Sequence, residues 1–262
     1  VIDRPARILI IAGSDSGGGA GIQADIKTVT CLGGYAMTAV TAITVQNTLG
    51  VTGIHGIPAE VVAAQMRACI DDIGVDAVKI GMIGAADTVV AVAEVLAGLR
   101  VPIVLDPVML AKGGASLLDD DAAQALVARL LPLATVVTPN SPELAALAGS
   151  AVEDEADALL AAQELLLQGP GAVLAKGGHL PGDRIIDWLV TRGGNTAFTS
   201  DRIETRHTHG TGCTLASALA CGLGQGLALE AAVVRARAFV AQGIARAPGL
   251  GAGHGPLGFY PL

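Results

Sequence analysis

The chain has 262 residues, 52% of them hydrophobic and 2% aromatic, and a formal net charge of −8. So much aliphatic surface excludes disorder and fills a single α/β core, while the acidic balance and the scarcity of rings exclude a broad nucleic-acid-binding face. Four cysteines form no C-x-x-C pair, and the longest apolar run, around 36–45, is broken by threonines and too short to span a bilayer, so a reduced, cytoplasmic protein with no membrane partner is expected.

In chain order, strands are predicted at 7–12, 36–45, 77–80, 103–106, 135–138, 172–175 and 185–190. Helices are predicted between most of them, at 20–32, 58–73, 87–99, 120–130, 141–148 and 155–168. Short apolar strands without strict alternation indicate a sheet covered on both faces, and intervening helices indicate parallel connections. The expectation is a three-layer α/β/α fold with a mostly parallel sheet. The stretch 193–206 reads as antiparallel and edge-like, turning at Gly193-Gly194-Asn195. Helices at 214–226 and 230–247 then close the chain. No linker, charge run or repeat divides it, which predicts one domain over 1–262.

Ligands of such sheets sit at the carboxyl ends of the strands, and the unusual residues fall there. The first strand runs into Gly13-Ser14-Asp15-Ser16-Gly17-Gly18-Gly19-Ala20-Gly21, which matches neither G-x-G-x-x-G nor a P-loop. It is a binding loop or merely a flexible one. Asp106 stands at a strand tip, and Asn140 and Glu143 follow the next strand; their oxygens suit Mg²⁺. Asn140-Ser141-Pro142-Glu143 also has the spacing of a helix capping box, and capping and metal support can coexist. Of only four lysines, Lys112 and Lys176 share an Ala-Lys-Gly-Gly context beyond a strand, where an ammonium can approach a triphosphate or simply be solvated. Met82, at another strand end, packs on a flat ring or in the core.

The segment His209-Gly210-Thr211-Gly212-Cys213 opens a small-residue helix. Free amides at a helix start and the helix dipole favour an anion, and the same field favours thiolate at Cys213. That combination suggests phosphoryl transfer; the alternative is a tight turn with a structural cysteine. His207 and His209 with Cys213 lack the ligand number and spacing of a zinc site, so His209 is read as orienting the loop or meeting phosphate.

Taken together, the residues Ala12 to Asp25, Val45-Gln46-Asn47-Thr48, Lys79-Ile80-Gly81-Met82, Asp106-Pro107-Val108-Met109, Thr138 to Glu143, Lys176-Gly177-Gly178-His179 and His209 to Thr214 resemble the hydroxymethylpyrimidine/phosphomethylpyrimidine kinases of thiamine biosynthesis, in the family's order and over nearly the whole chain. The resemblance implies a ribokinase-like fold without a separate lid domain, usually a homodimer, and ATP-dependent phosphorylation of 4-amino-5-hydroxymethyl-2-methylpyrimidine and then of its monophosphate. It implies that Gly13, Asp25, Gln46, Met82 and Val108 bind the pyrimidine, with Gln46 reading the ring edge. Gly210, Thr211 and Gly212 would supply amides to the transferring phosphoryl, Lys176, Asn140 and His209 would serve the nucleotide, and Asp106 and Glu143 would support Mg²⁺ directly or through water. Cys213 stands where many superfamily relatives carry an aspartate base, and the resemblance implies that its thiolate takes the proton from the substrate hydroxymethyl group.

The chain departs from the family pattern at Gly113-Gly114, which leaves Lys112 without an assigned role, and in its tail 251–257. Three rival readings remain: a cysteine-type pyridoxal kinase, a non-catalytic pyrimidine-binding regulator on the same fold, and an acyl-transfer enzyme with Cys213 as nucleophile.

Overall fold

A computed structural model describes residues 4–109 and 119–260. Lys112 lies outside the described residues. Among the described residues, nine strands form one sheet in the order β3-β2-β1-β4-β5-β6-β7-β8-β9. They are β1 (Arg7–Asp15), β2 (Tyr35–Asn47), β3 (Gly50–Gly56), β4 (Ala77–Ile80), β5 (Ile103–Leu105), β6 (Val136–Val137), β7 (Ala172–Ala175), β8 (Arg184–Thr191) and β9 (Gly194–Asp201). The run from β2 through β7 is parallel, and β3, β8 and β9 are antiparallel additions at the two edges.

Among the described residues, eight α-helices cover the sheet: α1 (Gly21–Cys31), α2 (Ala59–Ala68), α3 (Ala86–Leu96), α4 (Asp120–Ala125), α5 (Ser141–Ala148), α6 (Glu155–Leu167), α7 (Thr211–Gly224) and α8 (Leu229–Ala245). Alternation along β1 divides the core. Leu9 and Ile11 face a layer built by α2 to α6, whereas Ile8, Ile10 and Ala12 face α1, α7 and α8. Because α7 carries Ala, Gly, Ser and Cys where it meets the sheet, it packs closely enough to bury every residue from Thr214 to Gly222. That close approach brings its N-terminus to the carboxyl ends of β1, β4 and β5.

The structure departs from the sequence reading at several places. Strand β3 pairs with β2 and was not expected; the second edge hairpin places Gly194 inside β9, so its turn falls one residue earlier than predicted. The helices expected at 58–73 and 120–130 widen into π-helical turns at Cys69–Ile73 and Leu126–Leu130. The helix expected at 214–226 begins earlier, at Thr211, with Gly210 as its N-cap in the left-handed region (φ 85°). A Cβ at Gly210 would run into the Gly19 carbonyl, so only glycine permits this start.

Candidate active site

A cleft of about 1210 Å³ opens over the carboxyl ends of β1, β4, β5 and β7 and is walled by α7 and α8. Of the residues singled out in the sequence, Gly13, Gln46, Met82, Asp106, Val108, Asn140, Glu143, Lys176, His209, Gly210, Thr211, Gly212 and Cys213 all line it. At its centre the amide-bearing start of α7 has no side-chain cap, because Gly210 has none to offer. A Cβ at Gly212 would stand 3.3 Å from Lys176 Nζ and 3.5 Å from Asp106 Oδ2, which locates the helix start against an ammonium and a carboxylate.

Lys176 follows β7 and donates to Asp106 Oδ1 at 2.9 Å, with Glu143 Oε2 at 3.8 Å. Burial pulls its pKa down, but Asp106 and Glu143 outweigh burial and the net direction is up. The turn behind Lys176 is braced: Asp187 on β8 accepts the Gly177 amide at 2.8 Å and Arg237 Nε of α8 at 2.8 Å. Asp106 also accepts Thr138 Oγ1 at 3.1 Å. Glu143 and Asn140 form the capping box expected from their spacing, with Asn140 Oδ1 accepting the Glu143 amide and Glu143 Oε2 accepting the Asn140 amide. Burial pushes the Glu143 carboxyl up to about 7, against Lys176 and with Asp106 adding to the rise.

Two carboxylates that share one ammonium next to a helix start are a hard-oxygen pair that fits Mg²⁺ bound with substrate phosphates. Among the described residues no cluster of three or more His, Cys, Asp or Glu side chains is arranged to hold a metal by itself.

The floor of the cleft differs from expectation. Asp25, inferred from the family resemblance to contact the pyrimidine, does not line the cleft but is wholly buried beneath it. Its Oδ2 accepts Lys79 at 2.8 Å and its Oδ1 accepts Ser217 Oγ at 2.7 Å. Lys79 is the residue that reaches the cleft, although none of its surface is exposed to solvent. Burial pulls the Lys79 ammonium down, but attraction from Asp25, Cys213 and Asp106 reverses the direction and keeps it charged. Ser217 and Cys213 lie four residues apart on one face of α7, so this buried pair sits one turn below the thiol.

Cys213 is not the ready thiolate that its helix position suggested. Burial pushes its thiol up to about 11; Lys79 and a Gly21 amide oppose the rise, and Asp25 and Asp106 add to it. Burial and the two carboxylates together outweigh what Lys79 and the Gly21 amide offer the thiolate.

The remaining wall is organised by Asp15, which sequence reasoning did not select. Its carboxylate accepts the amides of Gly17, Gly19 and Ala20 at 2.8, 3.1 and 2.8 Å, and His209 Nε2 at 2.9 Å. Burial raises the Asp15 pKa, but the His209 and backbone hydrogen bonds outweigh it, and the net direction is down. His209 thereby ties the α7 loop to the glycine-rich loop. The backbone of His209 is held in turn by the Gly255 carbonyl of the tail at 3.1 Å. Gln46 reaches the same imidazole, with one amide atom 3.3 Å from Nε2. Gly13 leaves the space occupied by the Met82 methyl, where a Cβ would approach it to 2.5 Å.

Known proteins resemble this chain over nearly its whole length. The family model described as phosphomethylpyrimidine kinase matches residues 15–258. A hydroxymethylpyrimidine/phosphomethylpyrimidine kinase of Streptomyces coelicolor is 49% identical over 253 residues, covering 97% of this chain and 94% of the relative. The thiamine biosynthesis bifunctional protein ThiED of Geobacter sulfurreducens is 50% identical over 251 residues, which are 95% of this chain and 51% of that protein. Among solved structures, an ADP complex of Bacillus subtilis pyridoxal kinase superposes with a TM-score of 0.91 at 35% identity, covering 97% of both chains.

Proposed function

The chain belongs to the phosphomethylpyrimidine kinase family, and on that premise we propose how its cleft transfers a phosphoryl group from ATP. The enzyme is a kinase that phosphorylates 4-amino-5-hydroxymethyl-2-methylpyrimidine and its monophosphate in thiamine biosynthesis. The observation that carries the mechanism is the uncapped start of α7, set against Lys176 and Asp106 at the open ends of the strands.

In this reading the pyrimidine lies between Gly13, Met82 and Val108, with its polar edge on Gln46. The amides from Gly210 to Cys213 hold the terminal phosphoryl group of ATP, and Lys176 neutralises its charge. Asp106 and Glu143 would hold Mg²⁺, directly or through water, and the ion would supply charge shielding of the phosphate oxygens. Asn140 supports this corner by fixing Glu143 through the capping box. The hydroxymethyl oxygen attacks the γ-phosphorus, the bond from that phosphorus to the β–γ bridging oxygen breaks, and ADP leaves. The hydroxyl proton passes to the Cys213 sulfur, which acts from its minor thiolate form with Lys79 stabilising the charge. His209 serves the nucleotide indirectly, by holding the α7 loop in place.

The same reading extends to a cytoplasmic homodimer, whose second copy would cover the apolar side chains Ile43, Val45, Leu49 and Ile54 exposed on the β2–β3 hairpin. Among the described residues no helix is long and apolar enough to cross a membrane. The pyridoxal kinase fold match keeps pyridoxal as the second substrate to test. An assay of ADP release with hydroxymethylpyrimidine, its monophosphate and pyridoxal separates the readings: turnover of both pyrimidines above pyridoxal is expected, and preference for pyridoxal would overturn the assignment.

A further inference from the structure

The hydrogens around Gln46 can be assigned atom by atom. His209 Nε2 lies 2.9 Å from Asp15 Oδ2, and an imidazole lone pair would be repelled by a carboxylate oxygen, so Nε2 carries a proton. The amide atom of Gln46 that lies 3.3 Å from Nε2 therefore faces an N–H. Thr44 supplies an independent constraint. Its Oγ1 is 2.8 Å from the Ser14 carbonyl and 3.0 Å from the other amide atom of Gln46. A hydroxyl has one proton and a carbonyl only accepts, so that proton goes to Ser14 and the amide atom must donate to Oγ1. The amide as placed has Nε2 toward His209 and Oε1 toward Thr44; both constraints favour the flipped assignment, with oxygen toward His209 and nitrogen toward Thr44.

We infer that the chain Asp15–His209–Gln46–Thr44 is a positioning device that fixes the order of acceptor and donor offered to the pyrimidine, and thereby which end of the ring faces α7. The inference rests on the contact of Gln46 with the ring edge proposed above. In the substrate the 4-amino donor adjoins C5, which bears the hydroxymethyl group, and the ring nitrogen acceptor lies on the other side. The amino group pairs with the Gln46 oxygen on the His209 side, and the ring nitrogen pairs with the Gln46 nitrogen on the Thr44 side. The hydroxymethyl group is then directed to the His209–Gly210 side, where α7 begins. A reversed amide would turn it toward β2, away from the amides. Asp15 and Thr44 determine the orientation through His209 and Gln46; both are buried.

A 4-oxo analogue with a protonated ring nitrogen carries the opposite order of donor and acceptor, and so reports the amide's orientation. The test compares kcat/KM for the 4-amino and 4-oxo pyrimidines in the wild type, in Thr44→Val and in His209→Ala. Thr44→Val is isosteric within a strand and keeps the test valid should His209→Ala lose the fold. The wild type is expected to favour the amino compound by at least about a hundredfold, since a site built around a hydrogen-bonded edge rejects a mismatched one. In the variants that ratio falls by about tenfold or more, through a raised KM for the amino compound, and in Thr44→Val, which is remote from the α7 loop, KM for ATP stays within about twofold. Equal losses on both compounds, or no discrimination by the wild type, overturn the inference. Absence of turnover on either pyrimidine by the wild type would instead strike at the kinase assignment.

Discussion

Replacing Asp25 by Asn leaves the Lys79 ammonium with no carboxylate partner in a place with no exposed surface. Removing one member of a buried pair costs about 3–5 kcal/mol, because the remaining charge is neither solvated nor matched. At about 2–4 °C per kcal/mol for a chain of this size, the melting midpoint should fall by roughly 6–20 °C. Lys79→Met should cost a similar amount, at the lower end where Asp25 can take up a proton. The double variant Asp25→Asn/Lys79→Met removes both charges and should be about as stable as either single variant rather than carrying the summed loss, giving a coupling of about 3 kcal/mol in a thermal or urea cycle. The same variants act on Cys213 with opposite signs: losing Asp25 removes a negative neighbour and lowers the thiol pKa, and losing Lys79 raises it. The rate of iodoacetamide labelling against pH reads this directly. Additive stability losses, with coupling below about 0.5 kcal/mol, or thiol shifts of the same sign in both variants would refute the pairing and its position beneath Cys213.

Other outcomes follow from the same geometry. Because the thiol titrates at about 11, kcat should climb roughly tenfold per pH unit between pH 7 and 9 if chemistry limits turnover, and Cys213→Ala should lower kcat far more than it changes KM; a flat profile removes Cys213 from proton transfer. Lys176→Ala should raise KM for ATP and lower kcat, leaving pyrimidine affinity within about twofold, as measured by steady-state kinetics and calorimetry. Glu143 has a native pKa of about 7 against an ordinary 4.5, so between these values the native state holds more protons than the unfolded one. Its contribution to stability therefore declines as pH rises through that window, by up to about 3 kcal/mol, and is constant above it. In metal-free buffer this slope should appear in urea unfolding of the wild type and be absent from Glu143→Gln.

Local chemistry was legible in the sequence and long-range chemistry was not. The parallel strands announced themselves as short aliphatic runs, and the capping box at Asn140 was readable because its two partners are three residues apart. Strand β3 was missed because it is an edge strand with mostly exposed side chains and glycines at positions 50, 53 and 56; its order comes from backbone pairing with β2. Asp15 and His209 are separated by 194 residues, and no local pattern marks such a contact. Lys79 did carry a signal, as a charge inside the apolar run Ala77-Val78-Lys79-Ile80, which only a buried partner makes tolerable. Knowing that partner required the fold. The helix-dipole argument for an ionised Cys213 failed because the sequence does not reveal how completely the thiol is desolvated.

Crystals of the protein with a non-hydrolysable ATP analogue and hydroxymethylpyrimidine test the central claim most directly. The account predicts the γ-phosphoryl group against the backbone amides of 210–213 and in contact with Lys176, with the substrate hydroxymethyl oxygen about 3–3.5 Å from its phosphorus. A nucleotide bound elsewhere, with those amides facing protein or solvent alone, would contradict it.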